Sequence, residues 1–143
     1  MRMSRTRPST SRNGVATAEF AVLLPLLMFL FGIGVDFARA FYFHLTITHA
    51  ARNGALYACS NPTTANDTVG IQAAALKDTT DLGPGVAVTS GTFTDASGFT
   101  FVTVDVTYPF NTITPFPGVP SPFTINQKCV MRVEPTTPKP GTF

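Results

Sequence analysis

The chain reads as α+β: one long N-terminal helix, membrane-spanning in its first half and amphipathic in its second, packed on a small antiparallel sheet of three or four strands. Three observations predict it. Residues 20–35 form an uncharged apolar run that closes on Asp36. Beyond that run, apolar residues recur every three or four positions as far as Tyr57. After Gly85 the period falls to two, in segments rich in valine, threonine and phenylalanine.

Taken in order, residues 1–14 are a basic leader carrying Arg2, Arg5, Arg7 and Arg12, with no acidic residue before Glu19 and no apolar periodicity. The apolar run, extended back to Val15, reaches about 20 residues, enough for a hydrocarbon core roughly 30 Å thick. Only a helix satisfies its backbone there. The four arginines hold the N-terminal end in the cytoplasm, so the span (about residues 15–36) is N-in and everything after it lies outside. Glu19 is out of place in a plain anchor, since an ionisable group within a span marks a functional candidate; the alternative puts it at the headgroup level. If the chain is cut after Gly14, Val15 becomes a free amine, and Glu19 lies one helical turn further on, within reach of it or of a neighbour's amine. Pro25 removes one intrahelical hydrogen bond and predicts a kink or a loosened turn.

The helix continues past the span. Phe43, Ile47, Ala50, Gly54 and Tyr57 share one face, while Arg39, Tyr42, Thr46, His49, Arg52 and Asn53 fall on another. At 1.5 Å per residue, residues 16–58 would measure about 60 Å, and Ser60-Asn61-Pro62 ends them. His44 and His49 are five apart and point different ways, which excludes the paired spacing of a helical zinc site. They read as surface residues.

The remainder, residues 59–133, is one small extracytoplasmic α+β domain. Asp67 or Thr68 caps a short helix through Leu76, and residues 82–85 break it. Residues 86–89 and 91–94 are strand-like, and Asp95-Ala96-Ser97-Gly98 turns into the best strand, residues 99–108. There Val102, Val104, Val106 and Tyr108 face inward; Thr103, Asp105 and Thr107 face outward, which leaves Asp105 solvated and not catalytic. A loop over 109–122 holds five prolines and suits a contact surface, whether ordered or mobile. The last strand, 123–133, turns Phe123, Ile125, Cys129, Met131 and Val133 inward with Gln127 the one polar residue among them. Residues 134–143 are a Pro- and Thr-rich tail expected to be disordered.

Cys59 and Cys129 both fall beyond the span, where thiols are oxidised, and are expected to pair. The bond would close a loop of roughly 70 residues, worth about 4 kcal/mol in the chain-entropy model. Two free buried thiols are the alternative. The formal charge is +2; losing the four leader arginines leaves six basic residues against eight acidic, a net −2. No basic patch survives for nucleic acid. No nucleophile with an adjacent base, no metal-ligand spacing and no phosphate-binding loop is present, so neither an enzyme nor a cofactor is expected.

The segment from Gly14 to Glu19-Phe20, preceded by the basic leader and followed by the apolar helix, resembles the processing site of type IV prepilins. The longer string from Ala18 through Pro25 to Leu27, with Asp36-Phe37-Ala38-Arg39 after it, resembles more narrowly the TadE-like proteins of the tight-adherence (Flp) pilus system. The Val-rich strand, the Tyr-Pro-Phe turn, the Pro-rich loop and the final Met-Arg strand are also similar, though far less specific. The resemblance implies a pilin-like fold, cleavage between Gly14 and Val15 by a prepilin peptidase, and a part in assembly for Glu19 and Phe20. It implies other pilins or pseudopilins and the pilus assembly platform as partners, besides membrane lipid. The role expected is that of a minor pilin or pseudopilin in a bacterial cytoplasmic membrane, able to enter an extracellular fibre used in attachment or secretion. Two rival readings remain. Ala38-Arg39-Ala40 resembles a signal-peptidase site that would release a binding module beginning at Phe41, or the chain stays uncut as an anchored scaffold.

Overall fold

The computed structural model describes residues 13–114 and 121–135; the leader arginines, the centre of the Pro-rich loop and most of the C-terminal tail lie outside them. Its elements are three helices, α1 (Asn13–Ala58), α2 (Pro62–Ala65) and α3 (Thr68–Leu76), a 3-10 turn at Thr80–Leu82, and three strands, β1 (Ala87–Thr94), β2 (Thr100–Phe110) and β3 (Phe123–Arg132). The chain divides into two units between Val35 and Asp36.

The first unit is the apolar part of α1. The helix runs unbroken through Pro25, and its large side chains are exposed, Val22 by 78% and Phe31 by 70%.

The second unit joins the rest of α1 to an antiparallel meander in the order β1-β2-β3. Alternation along β2 places Val102, Val104 and Val106 inward, each fully buried, as the sequence predicts. The two predicted strand pieces around Ser90 form one continuous strand, β1, paired from Ala87 opposite Thr107 to Thr94 opposite Thr100. The hairpin is closed by Asp95, whose side chain accepts from the amides of Ser97 and Phe99, and by Gly98 at φ 77°, a backbone conformation suited to glycine.

Ile47, Ala50, Ala51, Ala55 and Ala58 of α1 meet Ile71 and Ala75 of α3 and the three valines of β2 in one core. Small residues on α1 let its backbone come close: a Cβ placed on Gly54 would stand 3.1 Å from Val104 Cγ1 and 3.2 Å from Ala75 Cβ. At the other end of the core the rings of Phe43, Tyr108, Phe110 and Phe123 pack edge-on or tilted, and the Arg39 guanidinium lies over Phe43 and Phe110. Asp67 caps α3 through the Gly70 amide, as expected. Helix α2 was not anticipated. Pro62 occupies its first turn, and Asn61 and Thr64 form a reciprocal capping box.

Candidate functional site

The residues singled out near the N-terminus all sit on the first turns of α1. Gly14, Val15, Glu19 and Phe20 are exposed, and among the described residues nothing lies within 4 Å of a Cβ built on Gly14. Val15 and Glu19 are separated by one turn of continuous helix, the spacing at which an amine created by cleavage would meet the carboxylate. Among the described residues one helix, Gly14–Ala58, is long and apolar enough to cross a membrane.

Asp36, the first residue of the second unit, does more than end the apolar run. The residue is 5% exposed. Oδ1 accepts from the Ile113 amide at 2.9 Å and from Arg39 Nη1 at 3.3 Å; Oδ2 accepts from the Thr114 amide at 2.9 Å and from the Thr114 hydroxyl. A helix residue thereby pins the start of the Pro-rich loop, which lies 77 residues away in sequence. Nothing in the sequence alone connects these positions. The only signal is that a carboxylate directly after an apolar helix must be hydrated or fully hydrogen-bonded, and this one is hydrogen-bonded.

Beside this clamp a groove of about 510 Å³ opens between the Phe37 to His44 stretch of α1 and the Phe123 to Gln127 stretch of β3. Gln127, the polar residue on the inner face of β3, lies at its rim with Nε2 3.4 Å from His44 Nδ1, and also donates to the Asn126 carbonyl at 2.7 Å. The groove explains why that position tolerates an amide: it faces an opening and not the sealed core. His49 is exposed, and Asp105 stands on the outer sheet face between Thr89 and Lys128. Among the described residues no group of three or more His, Cys, Asp or Glu is placed to hold a metal ion.

Cys59 and Cys129 are both half-buried against the core and carry free thiols in this structure. Burial pushes the Cys129 thiol up; Arg52 opposes the shift and Cys59 adds to it.

With the helix, the clamp and the thiols placed, comparison with known proteins separates one element from the rest. The family described as TadE-like protein matches residues 14–56. Residues 14–56 are thus similar to that family, over less than a third of the chain. The match begins at the glycine of the predicted cleavage site and ends two residues before the end of α1. The matched segment contains Gly14, Val15, Glu19, Phe20, Pro25 and Asp36, but neither cysteine and no strand. No curated protein and no solved structure matches the chain. The likeness noted for the C-terminal strands therefore falls outside the matched residues.

Proposed function

We propose that the protein is a minor pilin or pseudopilin of a tight-adherence pilus, cut between Gly14 and Val15 by a prepilin peptidase and taking no catalytic part itself. The observation that carries the reading is that the TadE-like match falls on one continuous helix opening at Gly14, whose first 22 residues expose large apolar side chains on every side. Such a surface needs lipid or other apolar helices around it. Before assembly the helix waits in the cytoplasmic membrane, N-terminus inside, with the head outside. During assembly Glu19 and the new Val15 amine supply the polar pair that sets its register among neighbouring pilin helices. Its partners are related pilins or pseudopilins and the assembly platform, and the fibre serves attachment or secretion.

The exposure of the Gly14–Val15 segment supports its access to a peptidase. Release after Ala40 is disfavoured by the same geometry. That cut would fall inside α1 and remove Asp36, the acceptor for Ile113 and Thr114, together with Arg39, which covers Phe43 and Phe110.

The test is the N-terminal sequence and intact mass of the protein from its native membranes, paired with Glu19→Ala. A chain starting at Val15, with processing intact but piliation reduced in the variant, is expected. A start at Phe41 or an uncut chain overturns the cleavage reading, and unchanged piliation overturns the role of Glu19.

A further inference from the structure

We propose that the end of the head nearest the span is a lipid seat: Ile113, Phe37 and Phe41 rest in the headgroup layer of the membrane, and Asp36 clamps in place the loop that carries Ile113. The proposal rests on the reading that α1 spans a bilayer, but not on cleavage or on entry into a pilus.

Connectivity sets the level. The apolar run ends at Val35 and Asp36 follows it. The headgroup layer is roughly 5–8 Å deep on each side of the hydrocarbon, a depth of about three to five helical residues. Phe37 and Phe41 stand about 1.5 and 7.5 Å beyond Asp36 along the helix axis, so both fall within that layer. Phe37 is 72% exposed and Phe41 57%. They lie one turn apart on one side of α1, at the mouth of the groove beside Phe123 and Ile125. Apolar rings so exposed are badly served by water and well served by the boundary between headgroups and acyl chains.

Ile113 comes to the same level from 77 residues away. Side chains of a helix lean toward its N-terminus, so the Asp36 carboxylate, and the loop bonded to it, lie on the membrane side of the Asp36 Cα. The Ile113 side chain itself is left 65% exposed. The backbone around it is prepared for a place with little water. Three consecutive amides find acceptors in distant side chains: Thr112 donates to Ser121 Oγ at 3.4 Å, Ile113 to Asp36 Oδ1 and Thr114 to Asp36 Oδ2, each at 2.9 Å. A loop in water can leave such amides to the solvent, whereas one that enters the interface must bond them within the protein. Asp36 offers lipid no bare charge either. Oδ1 also accepts from Arg39, Oδ2 also from the Thr114 hydroxyl, and the residue is buried.

The chain has no tryptophan, so single-tryptophan variants of the full chain can report depth. Each is reconstituted in vesicles of phosphatidylethanolamine and phosphatidylglycerol whose acyl chains carry bromine, a contact quencher, either near the headgroup or near the chain end. Phe31→Trp marks the span, and Phe37→Trp and Ile113→Trp mark the seat. Phe93→Trp marks the far end of the sheet, because Phe93 pairs with Phe101, nine residues along β2 from Phe110 and so about 30 Å away. The expected result is that Phe37→Trp and Ile113→Trp lose emission to the shallow bromine more than to the deep one, and that Phe93→Trp loses it to neither. Tryptophan favours interfaces on its own account, so Ile113→Trp is repeated with Asp36→Asn. A loop held by the clamp then loses most of its quenching; quenching that persists unchanged means that the probe drew the loop down, and overturns the proposal. If Phe31→Trp is quenched but Ile113→Trp is not, the seat is refuted and the span stands; a blue-shifted, unquenched Ile113→Trp would further show that protein, such as a second copy, covers this face. Quenching of Phe93→Trp equal to that of Ile113→Trp would lay the whole head on lipid and also overturn the seat. An unquenched Phe31→Trp refutes the span itself, and the seat with it.

Discussion

Gly54 sits where two opposing effects of known size meet, and replacing it with alanine tests how tightly the head is built. In a helix interior, alanine is favoured over glycine by about 1 kcal/mol. At Gly54, however, the added methyl would stand 3.1 Å from Val104 Cγ1, 3.2 Å from Ala75 Cβ and 3.4 Å from the Ile71 carbonyl oxygen. Two of those three atoms are backbone or attached directly to it, so α3 must retreat as a body; the third belongs to a fully buried valine. Overpacking of this kind typically costs about 1–3 kcal/mol. Subtracting the helix gain leaves Gly54→Ala destabilised by about 1 kcal/mol. Gly54→Val adds two further methyls where there is no room and a branched side chain that helices disfavour, giving a loss of about 3 kcal/mol or more. For a head of about 100 residues these correspond to Tm decreases of about 5 °C and about 15 °C. The assay is thermal unfolding of the full chain in detergent, followed by near-ultraviolet circular dichroism of Tyr57 and Tyr108, which pack against this core. A rise of about 1 kcal/mol for Gly54→Ala, the gain expected where nothing is close, would refute the packing of α3 and β2 on α1. Adding Ala75→Gly to Gly54→Ala should show a coupling of at least about 0.5 kcal/mol, because the two methyl groups compete for one space.

The clamp predicts that Asp36→Asn, which keeps the volume but loses the charge and one acceptor oxygen, will speed amide exchange at Ile113 and Thr114 roughly tenfold; exchange unchanged by mass spectrometry would remove the clamp. Asp67 predicts an acid dependence. Its carboxyl is held below the usual range first by the Gly70 amide, then by the Tyr57 hydroxyl, against the opposing effect of burial. Its stabilising contribution is therefore complete above the unfolded-state pKa of about 3.9 and is lost as pH falls through the lower folded value. The Tm of wild type should thus decline more steeply below pH 4 than that of Asp67→Asn, while the gap at pH 7 stays modest because asparagine also caps helices. Parallel curves would refute the assignment.

Local chemistry made much of this legible in advance. The turn chemistry of Ser60-Asn61-Pro62 set the end of α1, Asp67 set the start of α3, and strict alternation gave β2 its buried face. The leader arginines, the tail and residues 115–120 of the loop lie outside the described residues, so the expectations placed on them stand apart from the structure. Asp36 was visible only as the end of an apolar run, because its partners lie 77 and 78 residues away, beyond any local period. The stripe of Ala51, Ala55 and Ala58 also escaped notice. Periodicity weighted by large apolar residues favours Phe43 and Tyr57, whereas close backbone approach selects the small ones, and Phe43 and Tyr57 are only partly buried. Gln127, the one polar residue on the inner face of β3, finds its reason in the groove, which no sequence pattern shows.

Helix α1 carries two different surface codes, and the difference constrains what surrounds its first half. Where it meets the sheet and α3, the contact positions are Ala50, Ala51, Gly54, Ala55 and Ala58, small residues that let other backbone come close on one side. Before Val35 the code is reversed: large side chains occupy consecutive positions, and Leu26, Leu27, Met28, Leu30 and Phe31 are each at least half exposed. Successive residues of a helix are about 100° apart, so such a run encircles the axis and forms no stripe. A single partner helix would cover only one side of it. Each uncovered Leu, Met or Phe forgoes about 1.5–3 kcal/mol of burial in water. The surroundings must therefore be apolar on all sides, a condition met by a bilayer or by a bundle of several like helices. Passing from one to the other requires no change in the side chains of the segment. On the proposed reading Glu19 registers the difference, since a carboxylate has almost nothing to bond to among lipid tails but would meet an amine in a bundle of cleaved chains.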